Sequence, residues 1–131
     1  MIVLDASAVV EWLLQTRVGA KVEDRIFSRT ETLHAPHLLD VEVAQVLRRY
    51  VNSGVLTAVR GGDALDDLSD LSVTRYAHDL LLRRVWELRD NLTAYDAIYV
   101  ALAEALDARL VTCDRKIASA SGHHAKVVVV S

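Results

Sequence analysis

Residues Asn91 to Asp114 read NLTAYDAIYVALAEALDARLVTCD. In the first half of this stretch apolar residues recur every three or four positions, which predicts an amphipathic helix with Thr93 as N-cap and Asp96 in its first turn. The pattern then changes to the short apolar run from Arg109 to Thr112, which predicts a buried strand that ends just before Asp114. The stretch therefore joins a helix that begins beside one carboxylate to a strand that ends beside another.

The chain also opens with an apolar run that ends at an acid, since Ile2 to Leu4 precede Asp5 and a helical stripe follows. Similar runs without polar alternation predict three more strands. They are Thr32 to Ala35, Leu71 to Thr74 and Val127 to Val130. Strands of this kind, separated by helices such as those predicted for 16–28 and 76–88, run parallel and are covered on both faces. We therefore predict an α/β fold, a three-layer α/β/α sandwich with a central parallel sheet.

Length and composition set the broad class. The 131 residues predict one domain, 1–131, and 52% hydrophobic with 25% charged residues indicates a folded globular protein. Cys113 is the single cysteine, which excludes an internal disulfide and a cysteine-based zinc site and is typical of a reducing compartment. No apolar run reaches the length of a transmembrane helix, and no signal-peptide pattern is present, so we expect a cytoplasmic protein without a membrane partner.

Four acids are candidates for one common site. Ligands of open parallel sheets bind outside the carboxyl ends of the strands, which is where Asp5 and Asp114 leave the first and fourth strands. These two carboxylates are close together if those two strands are neighbours. Asp96 at the start of its helix and Glu42, one turn into the helix after the second strand, reach the same rim only if tertiary packing brings them there.

Each acid taken alone also has a simpler explanation. Asp5 and Asp114 occupy strand-to-helix turns where Asp is a favoured N-cap, and Asp96 is a first-turn acid that suits the helix dipole. Glu42 alone is typical of a solvated residue. Four carboxylates at one rim, however, repel one another and take up protons unless a cation is present. All-oxygen ligands suit Mg²⁺ or Mn²⁺ better than zinc.

Four motifs carry a family resemblance. They are LDASA at Asp5, DVEVAQVLRR around Glu42, TAYDAIYVALAEAL around Asp96 and LVTCD at Asp114. In this order and over essentially the whole chain, they resemble the PIN-domain ribonucleases, especially the VapC-type toxins of type II toxin-antitoxin systems. The resemblance implies that the four acids form a catalytic metal site, with Glu42 acting through water. It also implies that Ser7 and Thr112 are supporting hydroxyls.

The resemblance further implies a Mg²⁺-dependent endoribonuclease, a hydrolase that cleaves RNA phosphodiester bonds and needs no side-chain nucleophile. Its implied partners are a second copy of the chain, in a homodimer, and a cognate antitoxin that covers the active-site groove. Arg89, Arg115 and Lys116 are candidate RNA contacts near the rim, although basic residues after strands are also ordinary surface residues. The net charge of −3 by itself gives no reason to expect nucleic acid. The segment Thr57 to Arg75 matches no motif of the family.

Two other functions fit parts of the pattern. A receiver-type phosphoacceptor also gathers acids at strand ends, but it needs a pair of acids after the first strand and a basic residue after the last. This chain has only Asp5 at the first position and ends VVVVS. A catalytically inactive PIN-like module that binds RNA or protein is the second alternative, and the sequence leaves it open.

Several remaining residues are interpreted as structural. Trp12, Trp86 and the run Leu80 to Leu82 are expected in the core, with a partner surface as the alternative for some of them. His34 and His37 show an H-x-x-H spacing without a third ligand at a suitable distance, so no histidine metal site is expected. Cys113 is expected to be a small, partly apolar core residue with no basic neighbour to activate it.

Overall fold

A computed structural model describes residues 1–27 and 30–131 of the chain. The described residues form five strands, β1 to β5, and seven helices, α1 to α7. The strands are Ile2–Leu4, Leu33–Pro36, Val73–Tyr76, Arg109–Thr112 and Lys126–Val129. The helices are Ala6–Leu13, Arg17–Phe27, Leu38–Asn52, Ala58–Asp70, Leu82–Glu87, Ala94–Leu106 and Arg115–Ser119. Ser28, the predicted last residue of the second helix, lies outside the described residues.

The five strands form one parallel sheet in the order β3-β2-β1-β4-β5, with helices on both faces. The chain builds the sheet outward from β1 to β3 on one side and then crosses to β4 and β5 on the other. Strand β1 is completely buried, as its unbroken apolar composition predicts, and β2 is buried as well although it contains His34. The predicted three-layer α/β/α sandwich is confirmed.

Strand β3 lies two residues later than predicted, at Val73–Tyr76 instead of Leu71 to Thr74. Helix α4 continues to Asp70, and two side-chain contacts hold the later segment in the sheet. The guanidinium of Arg75 donates to both carboxylate oxygens of Asp40 at 2.7 and 2.9 Å, and the Tyr76 hydroxyl is hydrogen-bonded to His34 Nδ1 at 2.7 Å. The local pattern does not distinguish the two registers, because the deciding contacts come from β2 and α3.

The segment predicted as one helix from Tyr76 to Leu88 is instead divided. Tyr76 ends β3, a 3₁₀ turn covers Asp79–Leu81, and α5 occupies only Leu82–Glu87. Because α5 is short, a single stripe of Leu81, Val85 and Leu88 faces the core. The expectation that the other large residues here are core was wrong, since Leu80 is 91%, Trp86 68% and Leu82 55% exposed.

Helices α1 and α2 meet at a close contact that depends on Gly19. Thr16 begins α2 by accepting a hydrogen bond from the Gly19 N–H at 2.9 Å. A Cβ placed at Gly19 would lie 2.0 Å from the carbonyl oxygen of Glu11. No side chain fits there without separating the two backbones, so this crossing requires glycine.

No helix among the described residues has both the length and the apolar character needed to cross a membrane.

Candidate active site

The candidate site begins where β1 and β4 end side by side. Leu4 pairs with Val111, and the Asp5 N–H donates to the carbonyl oxygen of Val111 at 3.3 Å. Asp5 therefore leaves β1 directly beside Thr112, at the point where the strand order reverses. Such a point in a parallel sheet leaves a crevice between the loops that follow the strands.

The Asp5 carboxylate is buried and accepts three hydrogen bonds. Its Oδ1 accepts from the Ser7 hydroxyl at 2.7 Å and from the Ala8 N–H at 3.0 Å, and its Oδ2 accepts from the Thr112 hydroxyl. Burial raises the pKa of Asp5 above its ordinary value, although these hydrogen bonds act in the opposite direction. Asp5 is thus the N-cap of α1 and also a charged group held at the rim of the sheet.

The hydroxyls of Ser7 and Thr112 connect the ends of the two strands. Ser7 Oγ accepts from the Cys113 N–H and Thr112 Oγ1 accepts from the Asp114 N–H, both at 2.9 Å, and the two hydroxyl oxygens lie 3.3 Å apart. Both residues therefore hold Asp5 and also fix the backbone that carries Asp114. The supporting role of the two hydroxyls in a metal site stays a prediction.

Asp96 and Asp114 stand at the starts of two different helices. The Asp96 N–H donates to the Thr93 hydroxyl at 3.2 Å, which makes Thr93 the N-cap of α6 as predicted, and Asp114 caps α7 by accepting from the Lys116 N–H at 2.9 Å. Burial and then the charge of Asp114 raise the pKa of Asp96, while Thr93 and Lys116 lower it. The charge of Asp96 in turn contributes to the raised pKa of Asp5.

Glu42 reaches the same rim from the second turn of α3. Its Oε1 accepts a hydrogen bond from the Tyr99 hydroxyl at 2.5 Å. Burial raises the pKa of Glu42, the Tyr99 bond lowers it, and the charges of Asp96 and Asp5 raise it further. The fold thus brings all four predicted acids within electrostatic reach of at least one other, although they come from four separate segments.

The chemistry of this donor set fits a divalent cation. All the donors are carboxylate oxygens, and within the described part of the chain none of the four forms a salt bridge to a basic side chain. Among the same residues, no three acidic, His or Cys side chains are already gathered as a cation site. Mg²⁺ commonly binds through one or two carboxylates and keeps several waters. These residues can therefore suit the ion without forming a complete set of protein ligands.

One contact in the site was not predicted. Tyr99 appears in the sequence only as part of the apolar stripe of α6, yet its hydroxyl contacts Glu42. The one available signal is its position, because residue 99 lies three positions after Asp96 and so on the same side of the helix. Its partner lies 57 positions away on another helix, which no local pattern indicates.

The other residues singled out from the sequence occupy varied positions. Arg115 and Lys116 are exposed in the first turn of α7, and the Arg89 guanidinium lies 4.7 Å from the centre of the Trp86 ring. Cys113 is half-buried, and burial together with the charges of Asp5 and Glu11 raises its pKa to about 11. Burial and these charges therefore disfavour the thiolate form of Cys113, which is half-buried where the sequence predicts a buried residue.

A cavity of about 630 Å³ opens at the opposite ends of the strands. It is lined by Trp12, Phe27, Leu33 and Val73 among others and includes none of the four acids.

Comparisons with known proteins identify the family of this chain and then its group within the family. The sequence model of the PIN domain matches residues 2–122. The VapC ribonuclease Mb0985 of Mycobacterium bovis is 44% identical over 130 residues, which is 99% of this chain and 98% of the relative. Ribonuclease VapC12 of Mycobacterium tuberculosis is 40% identical over the whole of both chains. The chain therefore belongs to the PIN-domain family, within its VapC ribonuclease group.

A solved toxin-antitoxin complex from Klebsiella pneumoniae has the same fold, with a TM-score of 0.71 at 17% identity over 98% of this chain and 97% of that one. Membership of the PIN-domain family excludes the receiver-type phosphoacceptor. It does not exclude a catalytically inactive module, because a protein can retain the fold of its family after losing the activity.

The raised pKa of Asp5 predicts how pH acts on stability without metal. A raised carboxyl pKa stabilises the fold fully below the ordinary value of 3.8, and this contribution is lost as pH rises through the raised value. Asp5→Asn removes the charge and keeps an N-cap side chain. In EDTA we therefore expect the variant to melt above the wild type near neutral pH, with a difference that shrinks on acidification. Thermal midpoints from about pH 5 to about pH 8 test this. Parallel curves for the two proteins would contradict it.

Proposed function

We propose that this protein is a divalent-metal-dependent endoribonuclease that hydrolyses phosphodiester bonds in RNA and is the toxin of a toxin-antitoxin pair. One observation carries the proposal: four carboxylates from four separate segments each lie within electrostatic reach of at least one other near the strand-order reversal, in a chain that belongs with the VapC ribonucleases. A stability role alone does not account for this arrangement, since burial and then the charge of a neighbouring acid raise the pKa values of Asp5, Glu42 and Asp96.

The residues divide into three roles. Asp5, Asp96 and Asp114 would hold Mg²⁺ or Mn²⁺, with Glu42 acting through water. A divalent cation held there would lower the pKa of a water molecule and offset charge on the phosphate. Ser7 and Thr112 orient Asp5, and their hydrogen bonds favour the ionised form of its carboxyl group. No side-chain nucleophile is needed, because water supplies the attacking oxygen.

RNA is contacted by the basic residues next to the acids. Arg115 and Lys116 follow Asp114 directly and are exposed, so their side chains are available to phosphates on that side of the rim. Arg89, which lies against Trp86, is the third contact. An exposed arginine on an indole ring offers both charge and a stacking surface, which single-stranded RNA uses.

The antitoxin and a second copy of the chain are the proposed protein partners. A small apolar groove of about 150 Å³ is lined in part by Leu82 and by Tyr95, the residue that precedes Asp96 in α6. The exposed side chains Leu80 and Trp86 belong to the same segment as Leu82. Large exposed apolar groups mark interaction sites more often than solvated surface. A segment bound here would cover the approach to the acids, which is a direct way to stop cleavage.

Cleavage of a panel of structured RNAs by purified protein tests the enzymatic part of the proposal. We expect fragments with Mg²⁺ or Mn²⁺ and none in EDTA. Because water is the attacking group, the new ends should carry no 2′,3′-cyclic phosphate, whereas attack by the RNA's own 2′-hydroxyl produces one. Cleavage in EDTA with cyclic ends would indicate a contaminating nuclease. No cleavage of any RNA would favour the inactive binding module.

A further inference from the structure

Tyr99 places a hydroxyl on the otherwise apolar buried face of α6. Its neighbours along the helix, Ala97, Ile98, Val100 and Ala101, are all buried and apolar, and Tyr99 itself is only 2% exposed. A hydroxyl in such a place needs a partner, and this one donates to Glu42 Oε1 at 2.5 Å. The bond joins α6, which begins beside Asp96, to α3, which carries Glu42.

The bond constrains only half of the Glu42 carboxylate. Within the described residues, Oε1 accepts from Tyr99 and Oε2 makes no hydrogen bond. Burial, together with the hydrogen bond to Glu42 and that residue's charge, raises the pKa of Tyr99 far above its ordinary value. The phenol therefore remains a donor at every working pH and does not act as a base. Because Tyr99 fixes Oε1, Oε2 of Glu42 stays available at the rim.

Side-chain entropy explains why such a constraint is useful. A glutamate has three rotatable bonds and loses rotamer freedom when it is fixed. A bond that fixes the side chain in the folded protein removes much of that loss from the later binding step. Asp5 is fixed by Ser7, Ala8 and Thr112, and Tyr99 does for Glu42 what those residues do for Asp5.

We propose that Tyr99 is a positioning residue that fixes the Glu42 carboxylate so that its free oxygen faces the metal site. The inference rests on the proposed function, because it assigns Tyr99 a role in that same site. Tyr99 does not touch the metal or the RNA and acts only through Glu42.

Binding of Mn²⁺ to the metal-free protein, measured by calorimetry without RNA, tests the inference. Tyr99→Phe should weaken binding about threefold to tenfold, the range of one net hydrogen bond. The metal concentration for half-maximal RNA cleavage should rise by the same factor. Tyr50→Phe is the matched control, because Tyr50 lies half-buried on α3 and its hydroxyl has no hydrogen bond within the described residues. It should bind Mn²⁺ as the wild type does.

A double-mutant cycle separates positioning from general damage. In a Glu42→Ala background, Tyr99→Phe should weaken Mn²⁺ binding no further, because the group through which it acts is gone. Thermal unfolding in EDTA verifies that each variant is folded before it is titrated. An equal loss in both backgrounds would overturn the proposal, as would a folded Tyr99→Phe that binds like the wild type. A wild type that neither binds Mn²⁺ nor cleaves RNA would overturn the proposed function and this inference together.

Discussion

Asp5→Asn is expected to lower metal-dependent RNA cleavage by about a hundredfold or more. The change removes the charge of the acid that the strand pairing and three hydrogen bonds hold at the rim. Charge stabilisation by a bound cation contributes several kcal/mol to such reactions, and each 1.4 kcal/mol corresponds to about tenfold in rate. Initial rates of cleavage at saturating Mg²⁺ measure the loss.

The protein offers a matched control just before the neighbouring strand, β4, at the opposite edge of the sheet. Asp107 precedes β4, adopts a left-handed conformation with φ of 49°, and forms an exposed 3.6 Å ion pair with Lys126. Asparagine tolerates that conformation, and an exposed ion pair contributes little to stability. Asp107→Asn should therefore cleave RNA at the wild-type rate. A folded Asp5→Asn protein that retains cleavage would remove Asp5 from the mechanism.

Gly19→Ala is expected to cause the largest loss of stability. The added methyl group would lie 2.0 Å from the Glu11 carbonyl oxygen and 2.6 Å from its carbon. Backbone atoms cannot rotate away, so α1 and α2 must separate. We expect the free energy of unfolding to fall by about 3 kcal/mol, the upper end of the usual cost of overpacking. Urea denaturation, followed by circular dichroism, measures the change.

Gly62→Ala provides the comparison for this change. Gly62 lies in α4, where an added Cβ meets nothing within 4 Å. Alanine is the better helix former by roughly 1 kcal/mol, so this variant should gain stability. If both alanine variants shift the urea midpoint in the same direction, the close contact between α1 and α2 does not determine the effect of Gly19→Ala on stability.

The sequence predicts the elements best where one local signal is strong. The unbroken apolar runs at Ile2–Leu4 and Arg109–Thr112 identify buried strands, and Thr93 marks the start of α6. Strand β3 was displaced and α5 was overextended, because contacts from elsewhere in the chain decide both. Arg75 pairs with Asp40 across 35 positions, and no periodic pattern contains that information.

The sequence predicts which acids are candidates for the site, but it does not predict how those acids are arranged in space. The sequence identifies Asp5 and Asp114 as acids at strand ends, yet their proximity depends on β1 and β4 being neighbours, which local spacing does not determine. The position of Glu42 depends on the packing of α3 against α6, where Tyr99 meets it. The sequence therefore supplies the carboxylates, and the sheet order and helix packing determine which of them meet.

The bond between Thr112 and Asp5 joins residues 107 positions apart. During synthesis, β1 leaves the ribosome long before β4, and contacts between distant segments form only after both are available. An incomplete chain released before β4 would have Asp5 but neither Thr112 nor Asp114. Under the proposed function, we therefore expect a chain that ends before β4 to cleave no RNA, because two residues assigned to the site are missing from it.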